Sequence, residues 1–405
     1  MSFQVPGFGF QVRILGSRFR VRVPGSGFQV RAGVAATAAL WLVSATLVGG
    51  QAAARPPLAE EVFKNVQVLK GMPVDQFMGT MGFFSAALGM NCTDCHVDES
   101  GGSWAKYADD NDLKRTARRM VQMVAGINKG NFAGRQVVTC NTCHRGSTKP
   151  NVMPSLNLLY GSPPPDEPGD PFEATAGQPP ADQVFDKYLK ALGGTDRLAK
   201  LTSLAAKGTY KAFDDADSNP MDIYARAPGQ RTTIVHTLNG DSTTVIDGRN
   251  AWIAAPEAEK PVPLLEITGQ DLDGVKLEAS LVFPGGIKSV ATKWRVGPSA
   301  LIDDKEALTV QGTTAAGATV TLCFDAESGL LTRLIRFSDS PVGRLVTRVD
   351  YQDYREVAGV KMPFHWTVSW LSGRSVFELS NVQPNVAIDA ARFAKPAPAP
   401  PLRSG

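Results

Sequence analysis

The apolar and polar positions of the chain fall into four regimes. Residues 32–54 carry no charge: an apolar run from Ala32 to Val48 is followed by Gly49-Gly50-Gln51-Ala52-Ala53-Ala54. Between residues 73 and 127 the apolar positions recur with a helical period. Pro73-Val74-Asp75 starts a predicted helix that Gly89 stops, with Val74, Phe77, Met81, Phe84 and Leu88 on one face. Leu113, Ala117, Met120, Val124 and Ile127 make the same stripe on a second helix. From Ser147 to Pro180 prolines crowd in, including Pro163-Pro164-Pro165, and no period survives; this reads as a semi-rigid linker. A helical piece from Asp182 to Leu192 ends at Gly193-Gly194, and a shorter one lies near Thr195–Leu201. From Ala205 to about Phe393 the runs are short and β-like. Asn239-Gly240 and Asp247-Gly248 act as hairpin dipeptides, and Val320–Phe324, Leu330–Phe337 and Leu345–Tyr351 continue the pattern. Many short strands without intervening helices predict an antiparallel sheet, a sandwich or a partial barrel.

At 405 residues the chain is long enough for two domains plus extras. Its net charge of +3 is misleading. Arg13, Arg18, Arg20, Arg22 and Arg31 lie in the first 54 residues, which hold no acid, so the remainder carries −2 and has no basic footprint for nucleic acid. Arg31, the apolar run and an A-x-A end predict a signal peptide cleaved near Ala54, and hence an exported, periplasmic protein. The alternative is an uncleaved membrane anchor, because the run approaches the shortest spanning length. No cysteine follows the apolar run as a lipid attachment point. Upstream, Val5-Pro6-Gly7-Phe8-Gly9-Phe10-Gln11-Val12-Arg13 nearly repeats at Val23–Arg31. A repeat-rich leader has no place in a signal peptide, so translation is expected to start later, leaving residues 1 to about 30 unmade.

Chemistry concentrates in two pentapeptides 48 residues apart, Cys92-Thr93-Asp94-Cys95-His96 and Cys140-Asn141-Thr142-Cys143-His144. They hold four of the five cysteines and two of the four histidines. C-x-x-C-H is the attachment signature of haem c: two thiols form thioethers and the adjacent histidine ligates iron. A zinc site could use both Cys pairs but would leave both histidines without a role. Two haem c groups are therefore expected, on Cys92, Cys95 and His96 and on Cys140, Cys143 and His144.

Each motif follows a helix with a methionine at the centre of its stripe. Met81 lies 11 residues before Cys92, and Met120 lies 20 before Cys140. A methionine stripe alone is commonly core packing. Here iron needs a sixth ligand, and the two uncommitted histidines, His236 and His365, lie far away in the β-patterned half. His/Met ligation is the local solution, and thioether ligation raises the potential. Met78 and Met123, one turn away, remain substitutes, whereas Met90 is too near Cys92 to reach the opposite haem face. Arg118, Arg119 and Arg145 are candidates for pairing with haem propionates, the alternative being a solvated surface. Trp104 and Tyr107 either pack near a haem edge or close the loop.

The stretch from about 60 to 150 resembles the cytochrome c subunit of photosynthetic reaction centres. The matching residues are Val66-Gln67-Val68-Leu69, Phe77-Met78-Gly79-Thr80-Met81, Cys92 to His96, Ala117-Arg118-Arg119-Met120 and Val138 to Gly146. The resemblance implies that Met81 and Met120 are the axial ligands opposite His96 and His144. It also implies export, since haem attachment in this motif family is periplasmic. Two departures stand out: the family's well-studied members carry four haems, whereas this chain has the first pair alone. Their histidine between the second methionine and its haem motif has no counterpart between Met120 and Cys140. A relative serving respiratory or other periplasmic electron transfer fits these departures equally.

In the β-patterned half, Phe324–Leu330, Val349–Arg355 and Gly359–Phe364 resemble the lipoprotein-carrier superfamily of periplasmic half-barrels. That resemblance implies a curved sheet able to hold an acyl chain or a partner segment, so an apolar ligand is a candidate there. A filled core acting as a spacer is the alternative, and an open cleft lined by Trp252, Phe283 or Trp366 would decide for binding. His236 and His365 have no Cys, Asp or Glu at ligand spacing and read as ordinary strand residues. Cys323 reads as a small buried residue.

The expected fold is multidomain: a leader over 1–54, a mainly-α dihaem cytochrome domain over 55–150, a linker over 151–180, an antiparallel half-barrel or curved-sheet domain with one or two helices over 181–396, and a tail. The expected function is electron transfer between a donor and an acceptor redox protein, a membrane complex among the candidates. A dihaem peroxidase, needing one iron with an open position, and a redox-linked apolar-ligand or partner binding protein are the rivals.

Overall fold

The computed structural model describes residues 55–96, 104–150, 152–154, 156–161, 172–213, 215–256 and 260–400. The expectations for the signal peptide, the repeat and the start site lie outside these residues. No helix among the described residues is long and apolar enough to cross a membrane.

The first part is helices and loops. A single turn, α1 (Ala59–Val62), lies beside an isolated bridge between Leu58 and Pro73. Next comes α2 (Val74–Leu88), entered from Pro73 and stopped by Gly89 in the left-handed region, as the sequence pattern predicts. Gly89 is required twice over, because a Cβ there would also lie 2.3 Å from the carbonyl oxygen of Gly146. The motif turns are α3 (Cys92–Cys95) and α5 (Cys140–His144), and between them runs the long α4 (Asp112–Asn131), capped by the Asn111 side chain on the Lys114 amide at 2.9 Å. A short α6 (Leu156–Tyr160) falls inside the proline-rich stretch. The end of that stretch is docked, which its composition did not suggest: Phe172 donates its amide to Gln311 at 3.1 Å, and Thr175 donates to the Val296 carbonyl at 2.9 Å.

Helices α7 (Ala181–Ala191) and α8 (Thr195–Leu198) lead into the sheet, and α9 (Gly269–Ser280) interrupts it. The strands are β1 (Ser203–Ala212), β2 (Asn219–Arg226), β3 (Gln230–Thr237), β4 (Gly240–Ile246), β5 (Ala251–Ala254), β6 (Leu264–Ile267), β7 (Thr292–Val296), β8 (Ala300–Ile302), β9 (Lys305–Thr313), β10 (Thr319–Asp325), β11 (Leu331–Ser340), β12 (Gly343–Val357), β13 (Val360–Trp370) and β14 (Gly373–Pro384). They form one antiparallel 14-stranded sheet in the order β6-β5-β4-β3-β2-β1-β14-β13-β12-β11-β10-β9-β7, with β8 on β9. Two meanders thus meet where β1 pairs with β14, and the sheet is open, its edge strands β6 and β7 unpaired with each other. Leu238-Asn239 forms the tight β3–β4 turn, with Gly240 at φ +123°, and Asp247 closes the β4–β5 turn by accepting the amides of Arg249 and Asn250, both at 2.6 Å.

One face of the sheet is covered by α7 and α9. Val184, Phe185, Tyr188 and Leu189 of α7 are buried there with Phe324, Leu331 and Leu334. Each such side chain contributes roughly 1.5–3 kcal/mol, so packing rather than propensity holds this 11-residue helix. Under α9, half-buried Arg336 is held by Glu278 at 2.8 Å and Asp271 at 3.2 Å. Trp252 and Phe283 are packed away at 7% and 9% exposure. Trp366 lines a cavity of only about 90 Å³, together with Tyr188, Ile223, Tyr351 and Tyr354. Small-molecule sites run to roughly 300–1,000 Å³. Around Trp366 the face is filled by the protein itself, whereas a second cavity of about 430 Å³ lies beside α9, bordered by polar residues such as Gln230, Asp247, Arg249, Asp273 and Lys276. Cys323 is 2% exposed in a small cluster with Ile302 and Ala307.

Residues 56–405 form one compact unit in which α2 lies against the sheet. Asp75 accepts the Thr268 amide at 2.6 Å and its hydroxyl at 2.9 Å, and Gln136 donates to the Ser340 carbonyl at 2.8 Å. The Phe83 ring sits on Gly343, where a Cβ would come within 2.1 Å of it.

Candidate functional site

Both cysteine pairs sit on a single capped helical turn. In the first, Asn91 accepts from the Asp94 amide at 2.9 Å while Asp94 accepts from the Asn91 amide at 2.8 Å. In the second, Thr139 and Thr142 exchange the equivalent bonds at 3.4 and 3.0 Å. Three residues apart on a helix, the two thiols of each pair share a face. The turns differ in what surrounds them. Cys92 and Cys143 are exposed and Cys95 half-buried, whereas Cys140 is 7% exposed among Phe83, Ala87 and Val342. Burial is the main cause that pushes the Cys95 and Cys140 thiols above their ordinary range. The Met90 sulfur lies 3.9 Å from the Cys95 thiol, on the cysteine side of the motif.

The two histidines are held alike. His96 Nδ1 is 3.0 Å from the Tyr107 carbonyl, and His144 Nδ1 is 2.9 Å from the Ser147 carbonyl. A carbonyl only accepts, so each Nδ1 carries the proton and each Nε2 presents its lone pair. The His96 ring also stacks on Tyr107, with centroids 4.5 Å apart and planes 14° off parallel. Burial holds the His96 pKa below its ordinary value, partly opposed by the Tyr107 carbonyl and reinforced by the Lys114 charge, which keeps the ring neutral. A neutral imidazole with Nδ1 engaged is the form a metal ligand needs. Among the described residues no three of His, Cys, Asp and Glu converge on a shared metal cage.

Residues 33–157 match the profile of the photosynthetic reaction centre cytochrome C subunit family. The Thermochromatium tepidum reaction centre cytochrome c subunit is 40% identical over 99 residues, covering 23% of this chain and 23% of the relative. The Roseobacter denitrificans subunit is 34% identical over 117 residues, covering 26% and 31%. The chain thus spans about a quarter to a third of the curated relatives' length. Among solved structures, a LolA superfamily protein from Nitrosomonas europaea is 15% identical, with 54% of this chain and 99% of its own covered at a TM-score of 0.38. A DUF1329 family protein from Desulfovibrio piger is 10% identical, with 54% and 98% covered at 0.38.

The matched segment contains the methionines as well as the motifs. Met81 and Met120 are half-buried, whereas Met123 is 46% exposed. On α2 the fully buried positions are Val74, Thr80, Gly82, Phe83 and Ala87, and Phe77, Met81, Phe84 and Leu88 stay half-exposed. On α4 Val124 and Asn128 alone are buried, and Leu113 remains 43% exposed. The two methionine stripes therefore keep apolar surface that the polypeptide does not fully cover, as a bound apolar macrocycle would require.

The arginines divide. Arg118 is engaged by Asp110 at 2.7 Å, and that hydrogen bond is the main cause holding the Asp110 carboxyl below its usual range. Arg119 donates to Thr116 at 2.9 Å and is exposed, as is Arg145, which occupies a left-handed position after His144. Tyr107 stacks on His96, so it does more than close the loop, and Trp104 packs edge-on against Tyr107 at 5.1 Å.

His236 and His365 need correction. Strand pairing supplies carboxylates that sequence spacing does not show. His236 bridges Asp241 at 2.8 Å and Asp222 at 3.2 Å, and His365 meets Glu378 at 3.3 Å. With both ring nitrogens of His236 engaged, it is an ion-paired strand residue.

Sequence reasoning missed three supports. Asn111 donates to the Cys95 carbonyl at 2.8 Å and Asn65 to the Ala108 carbonyl at 2.7 Å, fixing the loop that carries Tyr107. Asn128, 8% exposed, accepts the amides of Val137 and Val138 at 3.1 and 2.9 Å and donates to the Val138 carbonyl at 2.7 Å. It thereby folds the approach to Cys140 back onto α4. A polar residue one turn after Val124 on an apolar stripe was its one sequence signal.

Proposed function

We propose that this protein is an exported dihaem c-type cytochrome that passes electrons between redox proteins. The observation that carries the reading is the pair of Nδ1–carbonyl hydrogen bonds, His96 to Tyr107 and His144 to Ser147, each beside two cysteines on one turn. In this reading Cys92 and Cys95, and Cys140 and Cys143, would each hold one haem through thioethers, and His96 and His144 would ligate the iron. Met81 and Met120 would supply the remaining iron ligands; the exposure of Met123 favours Met120, and the family match of the segment supports both. The bound groups supply reversible one-electron iron chemistry, which a thioether ligand shifts to higher potential. The chain's own work is orientation and exclusion of water. Tyr107 and Ser147 fix the imidazole tautomers, Tyr107 pins one ring face, and Phe83 and Val342 dry the second site. Arg119 and Arg145 remain exposed for propionates, whereas Arg118 is already balanced by Asp110.

The β-rich part is proposed as a support for this segment, because its helix-covered face is filled around Trp366. Export rests on the signal-peptide pattern, and the donor and acceptor, a membrane complex among them, on what the relatives' names describe. The test is haem content of exported holoprotein by pyridine haemochrome and intact mass. Wild type should carry two covalent haems and the Cys92→Ser/Cys95→Ser variant one. Two haems retained in the variant, or none in the wild type, would sink the proposal.

A further inference from the structure

The haem-bearing segment is electrically split. Residues 56–112 hold nine Asp and Glu against three Lys, whereas residues 113–150 hold eight Lys and Arg and no acid. The structure sharpens the contrast at the second motif. Arg115 and Arg118 are spent on Asp112 and Asp110, at 2.5 and 2.7 Å, which belong to the acidic half. Lys129, Arg135, Arg145 and Lys149 are exposed, and none of them has a carboxylate partner among the described residues. They lie around the second site: Lys129 in the last turn of α4, Arg135 on the loop that Asn128 folds toward Cys140, Arg145 directly after His144, and Lys149 just beyond. Val137, two residues after Arg135 on the same loop, is 48% exposed, and Met123 on α4 is 46% exposed. Apolar side chains within a charged rim are the anatomy of a transient protein interface.

Resting on the dihaem reading above, we infer that this basic face is where an acidic redox protein docks, so that the second haem is the port for that partner. Cys143 is exposed and His144 only half-buried, so a partner seated among the lysines and arginines approaches the attached group itself. An anionic membrane surface shares the charge requirement but has no reason to centre on a redox site. Beyond Lys149, Val152, Met153, Leu156, Leu159 and Tyr160 are exposed, but the last three sit on a helix of five residues, under two turns and far shorter than an interfacial anchoring helix. Unpaired charges of one sign focus the field and speed encounter with the opposite sign, an effect that salt removes once the Debye length falls to about 8–10 Å.

The experiment uses reduced holoprotein of wild type and of Cys92→Ser/Cys95→Ser, whose haem content is measured first, so that failure of the dihaem reading is seen separately. Each is mixed in stopped flow with hexacyanoferrate(III), an anionic acceptor, or with tris(phenanthroline)cobalt(III), a cationic one. One electron leaves the protein, reducing iron(III) or cobalt(III) to the divalent complex. The anionic acceptor should oxidise the second haem at a rate that falls about tenfold or more between low and physiological salt. The cationic acceptor's rate should not fall. A Lys129→Glu/Arg135→Glu/Lys149→Glu variant with unchanged haem content should lose the anionic salt dependence. Equal salt response for both acceptors overturns the inference. So does cosedimentation of wild type, lost in the charge-reversed variant, with phosphatidylserine vesicles at physiological salt, which would assign the face to a membrane surface.

Discussion

Replacing Asn128 tests how the second site is held. Its side chain makes three hydrogen bonds, to the Val137 amide at 3.1 Å, the Val138 amide at 2.9 Å and the Val138 carbonyl at 2.7 Å. Asn128→Ala strands the amide and the carbonyl of Val138, while the Val137 amide keeps its hydrogen bond to the Arg135 carbonyl at 3.0 Å. A buried group left unsatisfied costs about 1–3 kcal/mol, but Val137 is 48% exposed and its amide can find water. Counting the two Val138 groups in full and the Val137 amide as small gives about 2–6 kcal/mol, the lower end applying if water enters. Asn128→Asp separates the contributions. It keeps an acceptor for both amides but turns a lone pair toward the Val138 carbonyl, so it should cost nearly as much as alanine. The assay is guanidinium unfolding of holoprotein followed by far-UV circular dichroism, together with redox titration of the Cys92→Ser/Cys95→Ser background. That background isolates the second haem, whose potential should move because the loop into Cys140 is released. Loss of less than about 0.5 kcal/mol for both variants, with an unmoved potential, would refute the claim that Asn128 builds the approach to the motif.

Three other outcomes are expected. Met120→His should lower the potential of the second haem while keeping it low-spin, and Met123→Leu should leave it unchanged, both read by optical redox titration. Gly89→Ala should destabilise the protein beyond the roughly 1 kcal/mol cost of a left-handed alanine, because its methyl would meet the Gly146 carbonyl; a change below that cost in thermal unfolding would contradict the close approach. The His236 pKa is raised by hydrogen bonds first to Asp241 and then to Asp222. Its stabilisation should therefore be fully present below the unfolded pKa of 6.5 and vanish as pH rises through the higher folded value. His236→Gln should thus destabilise in mildly acidic buffer and not in alkaline buffer, and the opposite order would reverse the assignment.

What the sequence made legible was the pair of motifs on which the proposed haem attachment rests. Thioether attachment needs two thiols one turn apart and a histidine next to them, so Cys92 to His96 and Cys140 to His144 are readable without any fold. The orientation of those histidines was not readable, because Tyr107 and Ser147 act through backbone carbonyls that every residue possesses. The helix α2 shows a different gap. Its stripe of Phe77, Met81, Phe84 and Leu88 is real, but the face that packs tightest carries Thr80, Gly82, Phe83 and Ala87. Apart from Phe83, those residues, Thr80, Gly82 and Ala87, look unremarkable by hydropathy. Their small size lets the sheet come close: a Cβ on Gly79 would lie 3.0 Å from Leu345, and one on Gly82 2.8 Å from Ser372. Only the presence of a sheet makes that a packing face. The antiparallel sheet followed from alternation and turn signals, although the β3–β4 turn is Leu238-Asn239 and Gly240 of the expected dipeptide already opens β4; the strand order did not follow. Neither did the carboxylates beside His236 and His365, which depend on cross-strand register.

The two motifs, alike in sequence, are unlike in what holds them, and this bears on why a β-rich half accompanies the haem segment. The first motif is secured locally: Asn111 ties the Cys95 carbonyl to the start of α4, Asn65 secures the loop after it, and Cys92 is exposed. The second is secured from a distance. Cys140 is buried in a cluster of Phe83, Ala87 and Val342, with Leu345 and Leu371 packed against it. Val342 and Leu371 come from the β11–β12 and β13–β14 turns and Leu345 from the start of β12, and Phe83 closes on Gly343 between them. The Gly146 amide then bonds the Ala87 carbonyl at 2.9 Å, locking the end of the motif to α2. A tight apolar contact of this kind is sensitive to single methylene groups, each costing roughly 1 kcal/mol. Changes in the two hairpin turns therefore reach the second motif directly, while the first lies outside their cluster. The sheet contributes little chemistry of its own, because its helix-covered face is full around Trp366. It contributes a rigid wall for the site whose surroundings are basic and whose partner, on the inference above, must dock with its redox centre close.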